Sequence, residues 1–295
     1  MLMDDPGGAD NLSAFINITN HLHNIGILSP KIYHQDIDNG FLLLEDLGDN
    51  TFTKLLAQNP SQENEYRLYE KAIDTLASLH SNPMSTDIPL AEYDLAHFMT
   101  EARLFTDWYL PALRQKKTQQ ADIDRYENAW STIFDALPRL EPTLVLRDFH
   151  VDNLMMSADQ CAVLDYQDAL IGSPAYDVIS LLEDARRDIQ PALINAMKQR
   201  YFAYFPEINR ADVEHHLAVW GMQRHCKVAG IFVRLWLRDE KPVYLIHLHR
   251  VISLINRHLD NANLSPLKDW MESTVGTLEH RDLTIDNERP PVNDH

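Results

Sequence analysis

The chain has 295 residues, 45% of them hydrophobic and 24% charged, enough for one large domain or two lobes around a cleft. Acidic residues outnumber basic ones 44 to 26, a formal charge of -18; this excludes a general nucleic-acid or anionic-membrane surface, but not a nucleotide whose phosphates a metal ion neutralises. Two well-separated cysteines, acid rather than base at the start, and no apolar run near the ~18–20 residues that span a bilayer point to a soluble cytoplasmic protein with free thiols.

Met1-Leu2-Met3 reads as the end of a strand, cut off by Asp4-Asp5-Pro6-Gly7-Gly8. A helix is predicted over about Asn11–Asn24, with Phe15, Ile18, Leu22 and Ile25 near one face and Gly26 as its stop. Lys31–His34 and Phe41–Glu45 read as strands joined through Asp38-Asn39-Gly40, because Asn-Gly between apolar runs signals a hairpin. The second strand runs into a connector, Glu45-Asp46-Leu47-Gly48-Asp49. Helical spacing returns over Ser61–His80, then over Leu95–Tyr109, stopped by Pro111, and over Ile123–Leu137. Thr143–Leu146 is strand-like, and Leu154–Met156 with Cys161–Asp165 predicts a short hairpin. From about Ala175 to Leu278 the pattern is mostly helical, and 280–295 reads as a loose tail. The expected domains are therefore 1–48, a small β-rich piece with its connector, 49–279, a helical lobe holding one hairpin, and the tail 280–295.

The chemistry concentrates in Leu146-Arg147-Asp148-Phe149-His150-Val151-Asp152-Asn153 and Val163-Leu164-Asp165. Asp148 follows a strand, where a carboxylate can orient a hydroxyl and take its proton. Asn153 offers a neutral carbonyl oxygen and Asp165 a strand-terminal carboxylate, both suited to Mg²⁺. A hairpin between them would hold the two ligands at a fixed separation. Any one of these is an ordinary turn residue; the three in this order form a pattern.

The segment from Asp148 to Asp177 resembles the catalytic segment of the aminoglycoside phosphotransferase/choline kinase family. Leu144–Leu154, Ser173–Arg187, Phe41–Gly48, Leu104–Tyr109 and Gln223–Leu235 look most like the bacterial anomeric N-acetylmuramate/N-acetylglucosamine kinases, so the resemblance covers nearly the whole chain. It implies an α+β, protein-kinase-like two-lobed fold with a truncated small β-rich N-lobe and a large helical C-lobe. It also implies ATP and Mg²⁺, with an amino sugar as the small-molecule acceptor and its anomeric hydroxyl as the site of transfer, in cell-wall sugar recycling. In that pattern Asp148 resembles the catalytic base, Asn153 and Asp165 the Mg²⁺ ligands, and Glu45, Asp46 and Leu47 the hinge that holds adenine. Asp177 resembles an Asp that buttresses the catalytic loop, and Leu79-His80 the Leu-His ending the first large-lobe helix. Asp107, Trp108, Asp152, Gln223 and Arg224 are candidates for the acceptor side.

The chain departs from the pattern at its start. No glycine-rich loop precedes a lysine, and the helix expected over Asn11–Asn24 has no acidic residue beyond its start to pair with one. A shortened nucleotide roof, weak Mg-ATP binding by residues 1–295 and, as the alternative to a kinase, an inactive pseudokinase binding module are therefore expectations too. An aminoglycoside- or choline-type hydroxyl kinase is the alternative within the class. Fourteen histidines carry no His-Glu-x-x-His and read as scattered core or surface residues.

Overall fold

In a computed structural model, which describes residues 1–4, 9–276 and 278, Asn39-Gly40 closes the expected hairpin. Gly40 takes φ +81°, and β2 (Ile32–Asp36) pairs antiparallel with β3 (Phe41–Leu44) across the turn. β1 (Leu2–Asp4) pairs with the other edge of β3. Leu42 and Leu44 are buried while Leu43 between them is exposed, the period-two alternation of a half-covered sheet. α1 (Ala9–Asn24) buries Leu12, Phe15, Ile18 and Leu22 at helical spacing. Its end is a Schellman motif: the Ile27 N–H bonds the Leu22 carbonyl at 2.8 Å, the Gly26 N–H bonds that of His23 at 3.1 Å, and Gly26 sits at φ +80°.

α2 (Phe52–Gln58) was not legible in the sequence. Seven residues are too few for a periodic signal, and the helix rests on its cap, where the Lys54 N–H donates to the Thr51 hydroxyl. α3 (Gln62–Ser81) begins as expected, the Ser61 hydroxyl accepting from the Asn64 N–H. The expected helix over Leu95–Tyr109 is instead α4 (Leu95–Ala102), a π-helical turn (Phe105–Tyr109) and α5 (Leu110–Arg114). Pro111 does not stop the chain, because it falls in the first turn of α5, where its missing N–H costs no helical bond. α6 (Gln120–Asp135) follows.

β4 (Thr143–Val145) pairs antiparallel with β7 (Leu170–Gly172), a three-residue strand that the sequence did not signal. β5 (Leu154–Ser157) and β6 (Gln160–Val163) form the predicted hairpin. Ala158 and Asp159 turn it at φ 47° and 62°, two left-handed residues whose twist matches the strands. The helical remainder is α7 (Ala175–Leu182), α8 (Pro191–Ala203), α9 (Arg210–Leu237), α10 (Leu248–His258) and α11 (Ser265–Thr274). Gly7-Gly8 and the expected tail at 280–295 lie outside the described residues. No described helix is long and apolar enough to cross a membrane.

The chain divides into two compact units. The first contains Met1–Glu92, Glu141–Leu182 and Ile189–Asn209; the second contains Tyr93–Leu140, Glu183–Asp188 and the described residues from Arg210 on. In the first, α3 buries Leu68, Tyr69, Ile73 and Leu76. His80 near its end is half-buried, with Nδ1 2.8 Å from the Tyr201 hydroxyl, and loss of hydration pulls its pKa from 6.5 to about 3. The folded state therefore resists a proton that the unfolded chain accepts, so this contribution to stability is whole above pH 6.5 and is lost as pH falls from there toward 3. By pH 5 the loss is about 2 kcal/mol. Urea unfolding between pH 5 and 7.5 should show it, and His80→Gln should flatten the profile; an unchanged slope in the variant would count against it.

In the second unit the core is aromatic. Phe98 meets Trp130, Phe134 and Trp220 edge-on at 5.1, 5.2 and 5.1 Å between ring centroids. α9 crosses the π turn at Gly230, where a Cβ would stand 2.2 Å from the Leu104 carbonyl oxygen and 2.3 Å from its carbon. Backbone cannot give way as a side-chain tip can. Gly230→Ala should cost at least ~3 kcal/mol in urea unfolding, and a variant as stable as the parent would show that the helices do not meet so closely.

Candidate active site

Asp177 is where the loop between β4 and β5 is held. Its side chain is fully buried at the start of α7, and its two carboxylate oxygens accept the backbone N–H groups of Leu146 (2.6 Å) and Arg147 (2.9 Å). A buried carboxylate with two such donors is both satisfied and directional. Arg147 is left-handed, φ 69°, a conformation that costs a non-glycine residue of order 1–3 kcal/mol and persists only where its surroundings impose it. Its N–H is held by Asp177, its carbonyl accepts from Ser180, and its guanidinium donates to the Asp168 carbonyl at 3.0 Å. Arg147 thereby anchors the loop.

Asp148 follows immediately and is half-buried. The loop curls around its carbonyl, which accepts from the His150 N–H at 3.1 Å and from Asn153 Nδ2 at 3.1 Å. Val151–Asn153 is one 3₁₀ turn and delivers Asn153 to the first residue of β5. Across the hairpin, the Leu164 N–H donates to the Asn153 carbonyl at 2.9 Å, so Asp165 emerges beside Asn153. Asn153 Nδ2 lies 3.3 Å from Asp165 Oδ2, and Gln167 Nε2 lies 2.7 Å from Asp165 Oδ1. Asp165 is exposed and also left-handed, φ 57°. The three residues singled out in the sequence thus meet at the open end of one hairpin, and a left-handed residue marks each approach to them.

Two supports were not legible in the sequence. Tyr166, next to Asp165, is buried and stacks on Phe15 of α1 at 5.2 Å, and its hydroxyl lies 2.8 Å from that of Thr19. Asp152 pairs with the Thr53 hydroxyl at the start of α2, which also docks on the hairpin through Thr51 and Met155. Both pairings span about a hundred residues or more, beyond any local pattern.

The connector after β3 stays tied to the sheet. The Glu45 N–H donates to the Lys31 carbonyl at 2.7 Å, and the Lys31 N–H returns to Glu45 Oε2 at 3.2 Å. The Gly48 N–H bonds Asp46 Oδ1, and Gly48 takes φ +78°, so Glu45-Asp46-Leu47 ends in a fixed turn. A cavity of about 280 Å³ in the same unit is lined by Gly26–Leu28, Lys71, Asp74 and Asp159–Cys161. It sits at the turn of the hairpin, the opposite end from Asn153 and Asp165, and includes none of the candidate residues.

The remaining candidates belong to the second unit. Asp107 is buried in the π turn, 3.5 Å from Arg103 Nη2, and Trp108 beside it is half-buried. Gln223 is fully buried, and its Nε2 donates to the Phe98 carbonyl at 3.1 Å and to Glu101 Oε2 at 3.2 Å. Lys227 pairs with the other oxygen of Glu101 at 2.6 Å, and the Tyr93 hydroxyl also donates to this carboxylate. Gln223 is thereby part of a buried polar knot between α4 and α9. Arg224 is buried beside it in sequence.

The two cysteines, Cys161 and Cys226, are free and buried, and burial pushes both thiols up to about 12. Neither offers a nucleophile. The chemistry of the loop is that of oxygen donors: a carboxylate beside an amide and a second carboxylate, on a backbone whose shape is fixed from behind.

Known proteins are similar to this chain in sequence and in fold. Residues 1–213 match the model of the phosphotransferase enzyme family. The chain is 32% identical over 262 residues to the N-acetylmuramate/N-acetylglucosamine kinase of Pseudomonas putida, covering 87% of this chain and 76% of that protein. Among solved structures it resembles a choline/ethanolamine kinase family protein from Mesorhizobium loti, with a TM-score of 0.61 at 13% identity, covering 92% of this chain and 86% of the other. It also resembles an ADP-bound aminoglycoside phosphotransferase, with a TM-score of 0.55 at 14% identity over 85% and 83% of the two chains. At such identities these structures speak for the fold, which is α+β and kinase-like.

Proposed function

The chain belongs to the phosphotransferase enzyme family, and from that premise we propose that it transfers the γ-phosphoryl group of ATP to the anomeric hydroxyl of N-acetylmuramate or N-acetylglucosamine. The observation that carries this reading is the meeting of Asp148, Asn153 and Asp165 at one hairpin end, with Asp177 gripping the loop behind them. The sugar comes from the similarity to the Pseudomonas putida kinase of that name, which extends over most of both chains.

Asp148 accepts the proton of the acceptor hydroxyl as the new bond to phosphorus forms. A hemiacetal hydroxyl is more acidic than an ordinary alcohol, so a carboxylate is base enough. The Asn153 amide nitrogen lies against Asp165 Oδ2, so with the amide turned to present its oxygen the pair would offer hard oxygen donors suited to Mg²⁺ rather than a softer metal. When bound, Mg²⁺ offsets the charge that gathers on the phosphate oxygens. Glu45, Asp46 and Leu47 present backbone groups to the adenine. Asp107, Trp108, Asp152 and Arg224 serve the acceptor: a ring suits an apolar sugar face and a guanidinium suits a lactyl carboxylate. Gln223 acts in this scheme by holding Glu101 and α4 in place.

The test is a panel of acceptors incubated with the 295-residue protein and Mg-ATP: both amino sugars, kanamycin and choline. Phosphorus NMR should show an anomeric phosphate ester with one or both sugars. Transfer only to kanamycin or choline, or to nothing, would overturn the assignment.

A further inference from the structure

The second unit contains a group of side chains that phosphoryl transfer does not use. Glu183 directly follows α7, His225 lies in the middle of α9, and His258 ends α10. All three are buried, at 8%, 0% and 9% exposure. The Nε2 atoms of both histidines stand 2.7 Å from the same oxygen, Oε2 of Glu183. The three donor atoms lie within 4.8 Å of one another. The two rings are 5.3 Å apart and inclined at 51°, so they converge on the carboxylate rather than stack.

We propose that Glu183, His225 and His258 form a binding site for a divalent transition-metal ion, with Zn²⁺ the best-fitting candidate. Two imidazole nitrogens and one carboxylate oxygen are a borderline-soft donor set, which suits Zn²⁺, Co²⁺ or Ni²⁺ and not the all-oxygen preference of Mg²⁺. Three protein ligands leave the fourth tetrahedral position to water. Bonds of about 2.0–2.2 Å in that geometry place donors roughly 3.3 Å apart, so the 2.7 Å separations must open by about 0.6 Å, a small torsional change at each side chain. Each neutral imidazole then carries its proton on Nδ1 and offers Nε2 to the ion.

One surrounding contact has the form of an outer partner to a metal ligand. Arg257 Nη2 donates to the other oxygen of Glu183 at 2.7 Å, leaving Oε2 for the metal and orienting the carboxylate as outer partners of metal ligands do. Arg250 holds the same segment through the Asp184 carbonyl at 2.7 Å and through Asp188. The ligands come from three elements, so one ion would tie the Glu183–Asp188 segment to α9 and α10. The competing account is a closed hydrogen-bond set, in which both Nε2–H groups donate to Oε2 and no ion enters.

Calorimetry with ZnCl₂ on untagged, chelator-treated protein separates the two. We expect one equivalent bound at micromolar Kd or tighter, undisturbed by millimolar Mg²⁺. His258→Gln and Glu183→Gln should each weaken binding by more than the ~10–100-fold that loss of an outer partner costs. Co²⁺ in place of Zn²⁺ should give the visible absorption of a tetrahedral site, absent from both variants. The two variants test the site independently should one of them fold poorly, as circular dichroism will show. No stoichiometric Zn²⁺ binding, or binding that both folded variants retain, would overturn the proposal.

Discussion

Asp148→Asn should lower phosphoryl transfer by about 10²–10⁴-fold while leaving the fold intact. The amide has the size of the carboxylate but takes no proton. The bonds that shape the loop around this residue all involve its backbone: its N–H to the Leu146 carbonyl at 2.9 Å, and its carbonyl to His150 and Asn153. Among the described residues none depends on the side chain, so the variant should keep its unfolding midpoint and its nucleotide KM, with the loss confined to kcat. Steady-state kinetics with the preferred amino sugar measures this. Wild-type turnover would refute the role of base, and a rise in nucleotide KM with normal kcat would reassign Asp148 to binding.

Asp177→Ala should impair both stability and turnover. It orphans the buried N–H of Leu146 and the part-buried N–H of Arg147, each worth about 1–3 kcal/mol when left without a partner, for a total of about 2–6 kcal/mol. It also frees Arg147 from the grip that holds it at φ 69°, and the next residue is Asp148. Asp177→Asn is the sharper probe, because the amide keeps one acceptor oxygen and turns an N–H₂ toward the second donor. That variant should fold at 20 °C yet lose about 100-fold in kcat, the equivalent of roughly 2.7 kcal/mol at the transition state. Normal kcat in a folded Asp177→Asn protein would mean that the loop keeps its shape without the buttress.

What was readable from residues alone was local or carried by motif. Asn39-Gly40 announced its hairpin because Gly40 enters the left-handed region without steric cost, as few other residues do. Ser61 announced α3 because a short hydroxyl side chain can accept from the N–H three residues on. The candidate trio of Asp148, Asn153 and Asp165 could be read because it lies on one short loop and the hairpin that follows it, where chain geometry alone brings the residues together. The buttress at Asp177 was legible only through family resemblance, since no local rule joins it to Leu146.

The tertiary structure decided the rest. Pro111 continues the chain into α5 because the π turn before it places proline in a first turn, and the Gly230 approach to Leu104 is visible only once α9 is packed. Gln223, read as an acceptor residue, proves to have its amide nitrogen engaged inside a polar knot with Glu101. The cluster of Glu183, His225 and His258 joins residues 42 and 75 positions apart, a convergence that neither helical nor strand period encodes. Local backbone preference and turn chemistry act over a few residues and are therefore written in the order of the chain. Buried polar contacts are selected by which helices meet, and that choice is made by the packing of whole apolar faces.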